Sequence, residues 1–275
     1  LAGFTATGIT TLNIAGGTAG YDFTITGDLD AGITTLNGST AASDLNLSIA
    51  SSTTAITAST GLGDDVLATG DSIGDLDEQD TFDGNAGADT LTAVFTTAGT
   101  RNPKSDEFET FTLTFNNSAT LDFTDVNDVA TINVLESTFR AQLIDMDNTV
   151  KTLNVSGDQI GDWDVDYELN ENATLTVNWD NSTGLSDTLN SIEFDEVQSL
   201  TWNSVGDDNF TVTAMVVDAN HSASGTLNDS LETIRDLTFN VIGNGDLNII
   251  ANISSGDSVE NLTITTASGD FVMGI

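Results

Sequence analysis

The sequence predicts an all-β chain wound as a parallel β-solenoid, that is, a β-helix or β-roll with glycine-rich turns. Thr alternates with aliphatic residues along much of the chain, and Pro103 is its one proline. A six-residue pattern recurs at short intervals, and glycine–aspartate turns stand directly before aliphatic strand starts. Alternation of period two with frequent turn residues indicates short strands, and a short repeat indicates that they stack coil upon coil.

The repeated hexad reads apolar, any residue, small polar, apolar, Asn or Thr, apolar. Its last three positions alternate as a half-buried strand requires. The copies are Ile9–Ile14, Ile33–Gly38, Phe108–Leu113, Val129–Val134, Val150–Val155, Val197–Trp202, Ile234–Phe239 and Val259–Ile264. Most successive copies start 21 to 25 residues apart, and we interpret the interval of 47 residues after Val150 as two coils. Each hexad is then predicted to be the same strand on consecutive coils, with second strands at Ala119–Thr124 and Ala173–Trp179.

A string of immunoglobulin-like sandwiches is the alternative architecture, because it also contains many short Thr-rich strands. It predicts repeats of about 100 residues and antiparallel hairpins. The short period, the scarcity of proline and the glycine turns favour the solenoid. We interpret a loop at 98–105, with Pro103 and two of the five basic residues, as the boundary between a β-roll segment with calcium-binding turns, 1–100, and a solenoid of 21- to 25-residue coils, 101–275. The alternative is that this segment is only a loop between continuous coils.

The composition restricts the partners of the chain. Forty-three Asp and Glu against five Lys and Arg give a formal net charge of −38. Such a charge repels nucleic acid and anionic membranes, and it attracts divalent cations. There is no cysteine, so disulfides and most soft-metal sites are excluded, and no apolar stretch approaches the ~20 residues of a membrane span. We expect a cation-rich exterior, no nucleic acid and no direct membrane insertion.

Two turns carry the most specific signal. The segment 84–91 departs at one glycine position from the repeat G-G-x-G-x-D-x-U-x, in which U is a large aliphatic residue and which binds calcium in parallel β-helices. A weaker copy occupies 61–67. Glycine permits backbone conformations that aim carbonyl groups at a cation, Asp adds a hard carboxylate, and the aliphatic residue begins a buried strand.

These two turns, with the strand repeat and the acidic, cysteine-free composition, resemble the RTX-type secreted proteins of Gram-negative bacteria, and most of all their surface-layer members. The resemblance implies Ca²⁺ as the bound ion and export by type I secretion. It places side-chain ligands at Asp65 and Asp89 and carbonyl ligands at Gly61, Gly63, Gly84 and Asn85 to Gly87. Asp64, Asp71, Asp80 and Asp83 are added because they lie nearby, and Asp207 and Asp208 because a similar Gly-Asp turn contains them. Magnesium suits flexible carbonyl-lined turns less well than calcium.

The alternative to an ion site is a solvated acidic loop, and for the later turns an ordinary solenoid corner. An enzymatic role is not expected: His221 and the few basic residues are scattered over different repeats, and abundant carboxylates make any chosen catalytic pair uninformative. Of the three tryptophans, Trp179 and Trp202 are predicted to be core residues, whereas Trp163, flanked by Asp, is the candidate for an exposed sugar-binding surface.

The predicted function is a calcium-dependent structural protein of an extracellular surface layer or lattice, in which calcium orders the turns and promotes self-assembly. The expected partners are calcium ions, further copies of the chain and cell-surface polysaccharide. Three alternatives stay open: a calcium-stiffened adhesin or stalk, a halophile surface protein whose acidity serves salt tolerance, and a module of a secreted polysaccharide enzyme.

Overall fold

The computed structural model describes residues 8–70, 76–157, 159–167, 173–181, 187–217, 235–250, 253–254 and 259–273. Within these ranges the regular elements are β-strands, and the strand pairs that form the sheets are parallel. The predicted parallel β-solenoid is therefore confirmed. No helix in this described part of the chain is long and apolar enough to cross a membrane.

The strands form three sheets. Sheet 1 contains β1 (Thr11–Gly16), β3 (Thr35–Ala41), β5 (Thr57–Ser59), β7 (Thr81–Asp83) and β10 (Lys104–Asp106). Sheet 2 contains β2 (Asp22–Thr24), β4 (Asp44–Ser48), β6 (Val66–Ala68), β8 (Thr90–Phe95), β11 (Thr110–Phe115), β13 (Thr131–Ser137), β15 (Thr152–Ser156), β17 (Ala173–Asp180), β19 (Val197–Ser204), β22 (Asp236–Val241) and β25 (Asn261–Thr266). Sheet 3 contains β9 (Gly99–Arg101), β12 (Ala119–Asp122), β14 (Ala141–Met146), β16 (Ile160–Tyr167), β18 (Asp187–Asp195), β20 (Phe210–Val212), β21 (Met215–Val217), β23 (Leu247–Ile249), β24 (Ile253–Ser254) and β26 (Phe271–Met273).

Sheet 2 has strands from both the earlier and the later coils. Sheet 1 is formed by the earlier coils, and sheet 3 is formed by the later ones. Two corners of the coil contain the predicted turns. At the first corner the chain passes from sheet 1 to sheet 2, and at the second it passes from sheet 2 to sheet 3. Pairing of β8 with β11, from Thr90↔Thr110 to Phe95↔Phe115, continues the coils across residue 100. The predicted loop at 98–105 holds two short strands, β9 and β10.

The core consists of the inward-facing residues of the sheets. Strand β11 shows the alternation, with Phe111, Leu113 and Phe115 buried and the intervening threonines half-exposed. Trp179 and Trp202 are fully buried and stack with ring centroids 5.1 Å apart, which confirms their predicted core position. Trp163 is 1 % exposed, so the predicted exposed tryptophan is wrong. Its neighbours Asp162 and Asp164 point outward because side chains alternate along β16.

The hexads do not all belong to one stack. The first two hexads contribute β1 and β3 of sheet 1, whereas the copies from Phe108 onward contribute strands of sheet 2. The segment Ala173–Trp179, predicted as a second strand, lies in β17 of sheet 2, paired with β15 and β19. It is the extra coil inferred from the interval of 47 residues. Ala119–Asp122 is a second strand, as predicted, in sheet 3.

Candidate metal centre

The first corner stacks five turn segments, one after each strand of sheet 1, and the two predicted calcium turns are the third and the fourth. The segment 60–65 joins β5 to β6, and the segment 84–89 joins β7 to β8. The amide of Ala86 donates to the carbonyl of Gly61 (3.4 Å), and that of Thr90 donates to the carbonyl of Asp65 (2.8 Å). The predicted buried strand starts are present, because Leu67 and Leu91 are fully buried in β6 and β8.

The glycines of these turns permit close stacking. A Cβ atom on Gly84 would lie 1.8 Å from the carbonyl oxygen of Glu107, and one on Gly87 would lie 2.0 Å from that of Gly63. Gly87 and Asn85 have positive φ angles, 150° and 65°. Gly61, Gly63 and Gly84 do not, so the expectation that glycine serves the backbone angle there is wrong; close contact with the neighbouring coil is the reason for glycine instead.

Three acidic residues, each placed directly before a strand of sheet 2, form a carboxylate ladder: Asp65, Asp89 and Glu109. Asp65 accepts hydrogen bonds from the amides of Leu45 (2.6 Å, to Oδ1) and Gly61 (to Oδ2). Asp89 Oδ1 accepts from the amide of Asp65 (2.7 Å), and Glu109 Oε2 accepts from that of Asp89 (2.7 Å). Each carboxylate is thus fixed against the preceding coil.

A second row of carboxylates runs outside the ladder. Asp44 Oδ1 accepts from the amide of Asp64 (3.1 Å), and Asp64 Oδ1 accepts from the amide of Ala88 (2.9 Å). Asp64 is exposed. The first corner therefore presents stacked carboxylates at two depths, which concentrates negative charge along the coil axis.

The two Asp residues of the ladder are fully buried. Asp89 Oδ2 has no hydrogen-bond partner among the described residues. Burial, together with the nearby carboxylates of Asp65, Glu109 and Asp64, raises the pKa of Asp89 to about 7, although the hydrogen bond from the amide of Asp65 opposes the shift. Burial also raises the pKa of Asp65, against the hydrogen bonds from Leu45, Gly61 and Thr60. Among the described residues, no basic side chain forms an ion pair with these carboxylates.

The remaining residues predicted for this site lie at varied distances from the ladder. Asn85 Nδ2 donates to Ser59 Oγ (2.8 Å) and to the carbonyl of Thr60 (3.0 Å), which ties the two turns together. Asp83 Oδ1 accepts from the amide of Asn85 (3.0 Å). Asp80 stands at the other end of β7, where its carboxylate accepts from the amides of Ile56 and Asp77, both at 2.9 Å.

Asp71 lies outside the described residues, as does His221. Sequence reasoning missed Asp44 and Glu109. The signal for Glu109 was available, since it stands one residue before its strand as Asp65 and Asp89 do.

A further acidic group on sheet 1 was also missed. Asp106 of β10 pairs with Asp83 in the parallel register. Burial raises the pKa of Asp106, and the carboxylates of Asp128 and Asp83 raise it further. Asp128 has a positive φ of 66°. These residues extend the acidic surface from the first corner onto the outer face of sheet 1.

The second corner contains the other predicted turn. The segment 206–209 stacks against 243–246, because Asp207 Oδ1 accepts from Asn244 Nδ2 (2.9 Å) and Asn209 Oδ1 accepts from the amide of Asp246 (2.9 Å). Asp207 is exposed and Asp208 half-buried. Asn181 is fully buried beside this turn, and its Oδ1 has no hydrogen-bond partner among the described residues. The corner offers oxygen ligands, although its Asp side chains are more solvated than Asp65 and Asp89.

A third acidic group, which the sequence did not indicate, lies on sheet 3. Asp164, Glu193 and Asp195 bring one carboxylate oxygen each within 4.8 Å of one another. Parallel register sets Asp164 opposite Glu193. Gln142 Nε2 donates to Asp164 (2.8 Å), and Arg140 lies 3.9 Å from the same carboxylate. Asp164 is therefore partly compensated by a cation.

Comparison with known proteins finds no match: no family model, no curated protein and no solved structure is significantly similar to this chain. The fold and the first corner together define a parallel β-solenoid with a stacked, buried carboxylate ladder.

Proposed function

We propose that this chain is a calcium-dependent structural protein of an extracellular surface layer or lattice, in which calcium orders the first corner and promotes assembly. One observation carries the proposal: the buried Asp89, whose Oδ2 has no hydrogen-bond partner among the described residues, lies between the carboxylates of Asp65 and Glu109. The resemblance of the two turns to those of RTX-type surface-layer proteins supports the same ion.

The physical argument starts from the cost of buried charge. An ionised carboxylate in a poorly hydrated site is unfavourable unless it is paired or coordinates a metal. The rise of the pKa of Asp89 from 3.8 to about 7 corresponds to at most about 4 kcal/mol. Although Asp89 itself is covered, it lies beside the exposed Asp64 and Ala88, and screening by the nearby solvent reduces this value to roughly 2 kcal/mol. Near neutral pH the corner therefore favours either a proton or a cation.

The donor set fits calcium. The ladder offers carboxylate oxygens at Asp65 and Asp89, and the glycines let carbonyl groups of the neighbouring coil approach the turns closely. Calcium accepts six to eight such hard oxygen ligands in flexible geometry, whereas magnesium demands a near-ideal octahedron and keeps several waters. When bound, calcium supplies positive charge to Asp65 and Asp89, which hold the turns of two coils in register.

The charge of the whole chain supports an exterior location and assembly. At a net charge of −38, copies of the chain repel one another unless cations neutralise them. For a site of about 10⁻⁴ M affinity, a hundredfold excess of calcium stabilises the fold by about 2.7 kcal/mol. That increment is large beside a net stability of about 5–15 kcal/mol. Calcium outside the cell then favours folding after export, and the proposal assigns the chain no catalytic role.

The experiment is a calcium titration of the purified chain followed by circular dichroism and light scattering. Magnesium chloride and sodium chloride at matched ionic strength are the controls. The variant Asp89→Asn removes the buried charge, and Asp22→Asn removes one exposed charge from β2 as its matched control. We expect β-signal and large ordered particles to appear together with calcium in the wild type and in Asp22→Asn, and the calcium requirement to be weakened in Asp89→Asn.

The other outcomes distinguish the alternatives. Folding with calcium but without particles indicates a stalk or adhesin. Folding driven equally by sodium chloride indicates salt-adapted acidity. A chain that is indifferent to both calcium and chelator contradicts the proposal.

A further inference from the structure

The outer face of sheet 2 carries two unbroken ranks of Thr and Asn, which we call the threonine–asparagine face. Each of eight successive strands, from β8 to β25, contributes one residue to each rank. The first rank is Thr90, Thr110, Thr131, Thr152, Thr176, Thr201, Thr238 and Thr263. The second is Thr92, Thr112, Asn133, Asn154, Asn178, Asn203, Asn240 and Thr265. All sixteen side chains are half-exposed or exposed.

The register keeps both ranks straight. Thr152 pairs with Thr131 and Thr176, and Asn154 pairs with Asn133 and Asn178. The same pairing extends through β19 and β22 to β25 and back through β11 to β8. The β-bulge between β11 and β13 falls after the two ranks. The face therefore repeats along the coil axis without interruption.

The asparagine rank is rigid, because its amides bond to one another. Asn154 Nδ2 donates to Asn133 Oδ1 (2.8 Å), and Asn178 Nδ2 donates to Asn154 Oδ1 (2.8 Å). Asn203 and Asn240 continue the ladder at 2.7 and 2.9 Å. Each amide is thus held in one orientation, so its remaining donor and acceptor capacity is presented at fixed positions.

The uncharged character of this face contrasts with the outer face of sheet 3. On sheet 3 the same coils present Gln142, Asp164 and Glu193 outward, and the chain as a whole carries a net charge of −38. A half-buried strand needs only polar outward residues, and charged ones serve as well. The choice of Thr and Asn at sixteen successive positions is therefore more restricted than folding requires.

The geometry identifies the class of ligand. Neighbouring coils are about 4.8 Å apart, and successive outward residues of one strand are about 6.7 Å apart, so the face is a two-dimensional grid of hydroxyl, methyl and amide groups. A grid recognises a ligand that is itself periodic in two dimensions, that is, a crystal surface. An ionic mineral would require charged groups, and a crystalline polysaccharide would require aromatic rings for stacking. The sixteen positions contain neither.

We propose that the threonine–asparagine face binds ice. Ice is an uncharged hydrogen-bonding crystal whose surface oxygen atoms repeat on a scale similar to that of the grid. The hydroxyl and amide groups would order water in positions continuous with the lattice, while the threonine methyl groups exclude disordered water between the ranks. This inference uses residues separate from the carboxylate ladder and does not depend on the proposed function.

The experiment measures thermal hysteresis on a single seed crystal and the partition of fluorescently labelled chain into slowly grown ice, with calcium present. Thr176→Tyr places a bulky ring in the middle of the first rank, in a residue type that strands accept. Thr211→Tyr makes the same change on β20 of sheet 3, where Thr211 is also half-exposed. Asn154→Asp, a substitution of equal shape, adds one charge to the face. Circular dichroism melts establish that each variant is folded.

We expect the wild type and Thr211→Tyr to enter the ice and to separate the melting and freezing points. In Thr176→Tyr and Asn154→Asp we expect most of the hysteresis and of the partition into ice to be lost. Exclusion of the wild type from ice overturns the inference, as does equal loss in Thr176→Tyr and Thr211→Tyr. Adsorption to crystalline cellulose, or self-association abolished by Thr176→Tyr, without ice binding also overturns it, because the face would then serve another ligand.

Discussion

We expect the substitution Asp89→Asn to have different effects on the stability of the fold in the absence and in the presence of calcium. Asn has the shape of Asp, and its Oδ1 can still accept the hydrogen bond from the amide of Asp65. The substitution removes the charge whose burial, together with the nearby carboxylates of Asp65, Glu109 and Asp64, raises the pKa of Asp89 to about 7. In calcium-free buffer we therefore expect the variant to be more stable than the wild type, and in calcium less responsive.

The magnitude follows from the pKa shift. Because the folded-state pKa lies above the unfolded value of 3.8, the wild type loses stability as pH rises from about 4 through about 7. At pH 8 the full penalty applies, at most about 4 kcal/mol and roughly 2 kcal/mol after screening. At about 2–4 °C per kcal/mol for a chain of this size, Asp89→Asn should raise the melting temperature by about 4–8 °C. At pH 4 the difference should nearly vanish.

The assay is thermal unfolding by circular dichroism at pH 4 and pH 8, with chelator and with millimolar calcium. Asp22→Asn, an exposed position, controls for the change in net charge. In calcium the order should reverse or close, because the wild type gains about 2.7 kcal/mol from a hundredfold excess of ligand over its dissociation constant. The reasoning is refuted if Asp89→Asn is less stable than the wild type at pH 8 in chelator, or if both gain equally from calcium.

Three further predictions concern packing and acidity. Gly84→Ala should lower the free energy of unfolding by about 1–3 kcal/mol in thermal melts, because its Cβ would lie 1.8 Å from the carbonyl oxygen of Glu107. In the control Gly32→Ala, the nearest neighbour of the Cβ would be a side-chain oxygen at 3.1 Å, so the loss should be less than about 0.5 kcal/mol. Equal losses in the two variants would contradict the close-stacking argument. Trp179→Ala should cost about 3–5 kcal/mol in denaturant unfolding, since the ring is fully buried and stacks on Trp202 and Phe210; a loss below about 1 kcal/mol would show that this stack is not core. Asp128→Asn should lower the pKa of Asp106 in an NMR titration, because the Asp128 carboxylate contributes to raising it; an unchanged pKa would remove Asp128 as a cause.

Strand alternation and repeat length were enough to predict the fold class. Alternating burial, as in Phe111 and Leu113, follows directly from the period of two. The sheet to which a hexad belongs was not predictable, because both sheets accept the same alternation. In the structure the first two hexads lie in sheet 1, whereas the other hexads lie in sheet 2. The coil containing β17 was obscured because Thr174 stands where the other hexads have an apolar residue.

The candidate site, like the fold, could be predicted from the sequence only in part. The glycine spacing and the aspartates of the two turns are local features, so Asp65 and Asp89 could be selected from sequence. Glu109 belongs to the same ladder because the stacking of coils brings it to Asp89, 20 residues away in sequence. Asp80 does not belong to the ladder, because it lies at the other end of β7. Trp163 was misjudged from its acidic neighbours, since alternation along β16 separates their side chains from the indole.

The sequence by itself determined the local chemistry of this protein: strand period, coil length, glycine turns and a large negative charge. These properties depend on residues within one coil, and such short-range relations can be read from the chain. Only the tertiary structure decided which groups become neighbours across coils. Parallel register leaves Asp89 Oδ2 without a partner in the described structure and aligns Asn133, Asn154 and Asn178 into a ladder. Both results arise because stacking brings together residues that are distant in sequence and sets their burial at the same time.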